Sequence, residues 1–208
     1  MIEFILTSKS PRRCEILKQH GFSFRVAESS AKEKHLEGKL TEKEIIENIK
    51  YNSAIKAYNV WCDNKSEVIV SADTTVVKNN VCLNKPHSVN EAFLYLKSLS
   101  GTSHEVYTAI SIKADNYEKT EIFKTMVYFR ELSDSEIFEY IDKFNPLDKA
   151  GAYGIQDFVS KQNINNPPYE SFVSKIEGSY YNVMGICPFG LEKMLDDYSV
   201  SALGTFNL

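Results

Sequence analysis

The chain opens on a short apolar run, Ile2, Phe4, Ile5 and Leu6, which passes at Thr7 into a polar junction, Thr7-Ser8-Lys9-Ser10-Pro11-Arg12-Arg13. The run predicts a strand. Ile16 and Leu17 then predict a helix from Pro11 to His20, stopped by Gly21. Phe22 to Val26 reads as a short strand, and Ala27 to Lys39, charged and without apolar period, as a surface loop. Thr41-x-x-Glu44 is a capping box, opening a helix that carries Ile45, Ile46, Ile49, Ala54 and Ile55 towards Trp61. Glu67 to Ala72 is a buried strand ending at Asp73-Thr74. A hairpin is expected after it, Thr75 to Lys78 and Val81 to Leu83, turning at Asn79-Asn80.

Two further capping boxes follow. Ser88-x-x-Glu91 precedes a helix carrying Ala92, Phe93, Leu96 and Leu99 to a stop at Ser100-Gly101. Ser133-x-x-Glu136 precedes a helix through Phe144 that Pro146 ends. Between them, His104 to Lys113 and Lys119 to Phe129 form two longer strands around Asp115-Asn116. Lys149 to Gln156 is rich in small residues, and Lys161 to Pro168 is an Asn/Pro-rich insertion. Phe172 to Ile176 is strand-like, and the last helix spans Phe189 to Tyr198. Helices mixed with strands, some in hairpins, predict a mixed α/β sheet with flanking helices. With 208 residues, 43% of them hydrophobic, the chain has enough material for one domain, residues 1–208, with a central cleft between two lobes.

Charge narrows the function. A net −4 from 24 basic and 28 acidic side chains argues against a non-specific nucleic-acid binder. The apolar runs are strand-sized, well short of the roughly 20 residues of a membrane helix. Met1 leads directly into the first strand with no basic leader, so no signal peptide is expected. Cys14, Cys62, Cys82 and Cys187 are scattered, as are His20, His35, His87 and His104. That spacing speaks against a zinc site or disulfide framework and for a reducing cytoplasm.

The candidate chemistry starts at the junction. Two hydroxyls, a Pro suited to the first helical turn and two guanidinium groups meet where a helix exposes unpaired N–H groups. These favour an anion with several oxygens, such as a polyphosphate. The plain alternative is a turn with Ser10 as N-cap and solvated arginines. Asp73, after a buried strand, can bind a divalent metal or polarise water, unless it is a turn residue. Lys85 can fold back as a phosphate counter-charge, and the carboxamide of Gln156 suits the edge of a base. Glu33 is acidic and close in sequence to the arginines. For His104 a structural hydrogen bond is expected. No Ser–His–Asp elbow and no Gly-x-x-x-x-Gly-Lys loop occurs, so the chemistry is electrostatic and metal-assisted rather than covalent.

Together these segments resemble the Maf family of nucleoside triphosphate pyrophosphatases. The matching pieces are Ser8-x-Ser10-Pro11-Arg12-Arg13, Ser71-Ala72-Asp73-Thr74, Leu83-x-Lys85-Pro86, Leu99-Ser100-Gly101-x-x-His104-x-Val106-Tyr107-Thr108, Asp148 to Gln156, and Ile176-Glu177-Gly178-Ser179-Tyr180-x-Asn182-Val183-x-Gly185. The resemblance implies an elongated mixed α/β fold shared with inosine-triphosphate pyrophosphatases, usually a homodimer. It implies cleavage of a nucleoside triphosphate to the monophosphate and pyrophosphate with Mg²⁺ or Mn²⁺. By position, Asp73 matches the catalytic proton acceptor, and Glu33 with Asp73 would hold the metal. Ser8, Arg12, Arg13 and Lys85 match the phosphate-binding set, while Arg13, Thr74 and Gln156 fall where substrate choice is made. The Gly-Ile-Gln ending resembles the branch acting on dTTP and UTP. Two other readings stay open: the same chemistry on CTP or a modified nucleotide, and a non-catalytic nucleotide-binding regulator of cell division. The family often carries a lysine in its second helix where this chain has Asn52, so one phosphate counter-charge is expected to be missing. The loop Ser30-Ala31-Lys32-Glu33 carries less acid than usual, and Asn84 replaces a frequent glycine.

Overall fold

The computed structural model describes residues 2–158 and 171–204. The insertion Lys161 to Pro168 therefore lies outside the described residues. Seven strands, β1 (Phe4–Thr7), β2 (Phe24–Ala27), β3 (Ile69–Lys78), β4 (Val81–Leu83), β5 (Ser103–Lys113), β6 (Glu118–Phe129) and β7 (Val173–Glu177), form one mixed sheet. Their order is β2-β1-β3-β5-β6-β7, with β4 paired to β3 outside that path. The helices are α1 (Pro11–Gln19), α2 (Glu42–Cys62), α3 (Val89–Leu99), α4 (Asp134–Phe144), α5 (Tyr180–Met184) and α6 (Pro188–Gly204). None among the described residues is long and apolar enough to cross a membrane.

The edge of β3 opens the cleft. On one side β5 pairs with it antiparallel from Ile69 to Val77. On the other side β1 runs parallel to it only as far as Thr7 against Ser71, and β4 resumes the pairing at Val76 against Leu83. Ala72 to Thr75 thus have no strand neighbour on that edge among the described residues. Asp73 was expected to follow a strand; it lies inside one. Pairing of Asp73 with Ala109 and of Thr74 with Thr108 keeps this stretch extended past the point where β1 leaves. Because side chains alternate along a strand, Asp73 faces α2 and Thr74 faces the other side.

α2 covers one face of the sheet. Ile45 and Ile49 pack on Val77, Tyr107 and Ala109, and Ala57 and Val60 on Ile5 and Ile69. The opposite face carries two apolar clusters. In one, Ile16, Leu17, Leu191 and Met194 of α1 and α6 cover Phe4, Leu6, Val70 and Ile110. In the other, Leu96, Leu99, Ile137 and Tyr140 of α3 and α4 cover Val76, Val106 and Val127.

Local signals placed most element ends well. The capping boxes at Thr41 and Ser133 are complete. At Ser88 the hydroxyl accepts the Glu91 N–H as expected, but the Glu91 carboxylate takes the N–H of His87 instead of closing the box. Asn79 and Asn80 both adopt positive φ, 49° and 65°, as a tight hairpin with two left-handed residues requires. β2 begins two residues later than expected, and α6 runs on past Tyr198. α5 is five residues long, too short for a periodicity to reveal it.

His104 behaves as a structural residue. It is 2% exposed, with Nε2 2.7 Å from the Tyr153 hydroxyl. Burial, helped by the charge of Lys78, pushes its pKa down to about 3. An unfolded histidine takes up a proton near pH 6.5, whereas the folded one resists protonation, so stability is lost as pH falls from about 6.5 towards 3. Protonation of His104 on unfolding steepens that loss by at most about 1.4 kcal/mol per pH unit. His104→Gln is expected to flatten the slope, which urea unfolding at pH 7, 6, 5 and 4 measures. An unaltered slope in the variant would refute the assignment.

Candidate active site

At the gap in the β3 edge lies a cleft of about 1090 Å³, lined by Ser8, Arg12, Arg13, Glu33, Asp73, Thr74, Lys85 and Gln156 together. All eight residues singled out from the sequence therefore meet in one place. They come from the β1–α1 junction, the loop before α2, the middle of β3, the segment after β4, and the turns after α4.

The junction does not use its hydroxyls as a simple helix cap. Ser10 stands at the N-cap position but makes no side-chain cap bond. Ser8 Oγ instead accepts the Ser10 N–H at 3.1 Å and Arg13 Nη1 at 3.3 Å. Arg13 also donates through Nε to the Gly185 carbonyl at 2.7 Å and through Nη2 to Thr74 Oγ1 at 3.0 Å. Its guanidinium is thus fixed in three directions by partners that carry no formal charge. Burial lowers its pKa, Asp73 opposes that shift, and Arg12 adds to it. A partly buried cation held by neutral groups keeps its charge available for an anion, since an arginine stays protonated.

Arg12 turns the other way. Its Nη1 lies 3.1 Å from Asp148 Oδ2, and Asp148 also accepts Lys149 Nζ at 2.9 Å. Burial raises the Asp148 pKa, but Lys149 and Arg12 outweigh it and hold the carboxyl below its ordinary value. Lys85 stands exposed at the rim of the cleft. With Lys149 it adds to the positive lining.

The floor is acidic with an ammonium at its centre. Lys56 Nζ lies 2.7 Å from Asp73 Oδ1 and 3.5 Å from Glu33 Oε2. Asn52 Nδ2 donates to Asp73 Oδ2 at 3.3 Å. One phosphate counter-charge was expected to be missing because Asn52 stands where a lysine is frequent; Lys56, one turn further along the same face, sets a cation against Asp73 and Glu33. Sequence reading missed it, although a signal was there. The buried stripe of α2 runs Ile45, Ile49, Asn52, Ser53, Lys56, Ala57, Val60. Three polar residues interrupt an otherwise apolar face, and burying them demands partners.

Gln156 is carried on a 3₁₀ turn, Ile155–Phe158, at the far side of the cleft. The preceding turn is built tightly. A Cβ on Gly154 would lie 2.7 Å from both Gln156 Nε2 and Asp157 Oδ2, so a larger residue there would push one or both side chains aside. The Tyr140 hydroxyl accepts the Gly154 N–H at 2.9 Å and donates to Asp157 Oδ2 at 2.7 Å. This ties the turn to α4.

For a divalent cation, Glu33 and Asp73 are the carboxylates that come together, at Lys56. Among the described residues no group of three His, Cys, Asp or Glu side chains converges. Two carboxylates nevertheless fit an ion of the Mg²⁺ kind, which usually takes one or two from protein and completes its shell with substrate phosphates and water. The ammonium of Lys56 already lying against both carboxylates shows that the pair attracts positive charge.

The family model described as "Maf-like protein" matches residues 3–198. A protein named dTTP/UTP pyrophosphatase from Clostridium perfringens (strain SM101) is 37% identical over 205 residues, covering 97% of this chain and 100% of that one. Proteins of the same name from Acetivibrio thermocellus and Aquifex aeolicus are 38% and 36% identical, each alignment covering 98% of both chains. A solved nucleoside-triphosphatase / dITP/XTP pyrophosphatase from Mycobacterium abscessus aligns at 12% identity and a TM-score of 0.38, covering 62% of this chain and 73% of that one. That likeness is too slight to argue from.

Proposed function

Because the chain belongs to the Maf family, we propose that it hydrolyses dTTP- or UTP-like nucleoside triphosphates to the monophosphate and pyrophosphate. The observation that carries this reading is the convergence of Arg12, Arg13 and Lys85 with the Asp73–Lys56–Glu33 floor in one cleft. In this reading water attacks the α-phosphorus, the bond to the bridging oxygen breaks, and pyrophosphate leaves with its electrons. Asp73 orients that water and accepts its proton. Arg13, pinned by Ser8, Thr74 and Gly185, presents a fixed charge to the phosphates, while Arg12 and Lys85 add to it. Gln156 meets the O4/N3–H edge of a pyrimidine with one donor and one acceptor.

Glu33 and Asp73 would hold a Mg²⁺ or Mn²⁺ ion together with phosphate oxygens. Such an ion, when bound, neutralises phosphate charge and polarises the scissile group. Lys56 keeps the two carboxylates close and limits their repulsion while no polyphosphate is present. A homodimer in the cytoplasm, implied by the family resemblance, belongs to the same reading.

Purified protein is expected to release pyrophosphate from dTTP and UTP with added Mg²⁺ or Mn²⁺, read against the other common triphosphates. Nucleotide binding without release above background would leave the regulator reading in its place. Release from CTP or a modified nucleotide alone would keep the chemistry and change the base.

A further inference from the structure

Asn52 is 3% exposed, in the middle of the helix face that packs on the sheet. A carboxamide buried there is costly unless all its donors and its acceptor are used. They are. Oδ1 accepts the Lys34 N–H at 2.8 Å, and Nδ2 donates to the Lys34 carbonyl at 2.9 Å and to Asp73 Oδ2 at 3.3 Å. The first two bonds grip both backbone groups of Lys34, as a neighbouring strand would. Asn48 adds a bond to the same carbonyl at 3.1 Å.

Lys34 directly follows Glu33, in a stretch from Glu28 to Glu37 that has no helix or strand. Residues 32 to 35 are exposed, so packing does not fix the Glu33 backbone. Asn59 pins the start of the loop, at the Ser30 N–H. Beyond that point Asn48 shares the Lys34 carbonyl, Asn84 donates to the Leu36 carbonyl at 3.4 Å and the Lys34 ammonium lies 3.8 Å over the Tyr51 ring, but Asn52 alone takes both backbone groups of Lys34. With Lys56 it closes a ring: Asn52 to Lys34, Glu33 to Lys56, Lys56 to Asp73, and Asp73 back to Asn52.

We infer that Asn52 is a positioning residue for the reaction proposed above, its one carboxamide holding the Glu33 loop and the Asp73 carboxylate in a single geometry. It acts through Glu33 and Asp73 and leaves the cationic side of the cleft alone.

Asn52→Ala and Asn52→Asp in the full chain test this, each read by amide hydrogen exchange at Lys34 and by kcat and KM for dTTP with Mg²⁺. In Asn52→Ala, Lys34 exchange is expected to quicken about 10-fold or more, and kcat to fall by a similar factor, as loss of a bond to a charged group implies. KM should stay within about twofold, because Arg12, Arg13 and Lys85 are untouched. Asn52→Asp still accepts the Lys34 N–H but can donate neither to the Lys34 carbonyl nor to Asp73, against which it sets a second carboxylate. Its Lys34 amide should stay protected while kcat remains low. Should the alanine variant fail to fold, this near-isosteric one decides alone. Unchanged Lys34 protection in Asn52→Ala, or wild-type kcat in the aspartate variant, overturns the inference. Absence of pyrophosphate release from the wild type would instead overturn the proposed activity, and Lys34 exchange would still judge the anchor.

Discussion

Asp73→Asn is expected to lower pyrophosphate release by about 10²–10³-fold, the usual cost of removing one preorganised charge or proton acceptor from such a site. The carboxamide matches the carboxylate in size, so β3 keeps its register and its pairing with β5. Lys56 keeps an oxygen to donate to but loses the charge of its partner at 2.7 Å, and it still faces Glu33 at 3.5 Å, which limits the stability lost to about 1–3 kcal/mol. Substrate affinity should hold or improve, because a negative charge leaves a cleft that receives a polyanion. The signature is therefore a collapse of kcat with KM unchanged or lower, in a protein whose thermal unfolding remains cooperative. Turnover near the wild-type rate would remove Asp73 from the chemistry.

Arg13→Lys should produce the opposite split. The guanidinium donates in three directions at once, to Gly185, Thr74 and Ser8, and an ammonium on a flexible stem cannot reproduce that fork. The charge survives but its position does not. Loss of charge-assisted bonds worth about 1.5–3 kcal/mol predicts a rise in KM for the triphosphate of about 10–100-fold. The same change at Arg12 should matter less, since its pair with Asp148 is partly solvated. Steady-state kinetics of both lysine variants, beside their melting temperatures, makes the comparison. Equal effects at the two positions would mean that the three-way anchoring of Arg13 is incidental.

Much of this was legible along the chain because short-range chemistry governs it. Thr41, Ser88 and Ser133 each accept an N–H three residues on, and Asn79-Asn80 turns the hairpin, whatever the rest of the molecule does. Six of the cleft residues were recognisable by their own chemistry, whereas Thr74 and Glu33 were picked out by their position in the family resemblance. Lys56 escaped for a complementary reason. A lysine on a helix surface is ordinarily solvated, and although Lys56 falls on the same stripe of α2 as Asn52 and Ser53, it is the distant Asp73 carboxylate that decides it turns inward. α5 was lost because five residues hold too little pattern, although the Gly185 carbonyl at its end anchors Arg13.

Helix ends, tight turns and the polarity of each face are settled within a few residues, by hydrogen bonds and side-chain alternation that close locally. The position of Asp73 is of another kind. It lies inside β3 rather than after it because β5, some thirty-five residues away in the chain, continues to pair there. It faces open space because β1 has already left and β4 has not yet joined. Pairing across long loops is where chain entropy and burial are weighed over the whole molecule, and that balance made the cleft.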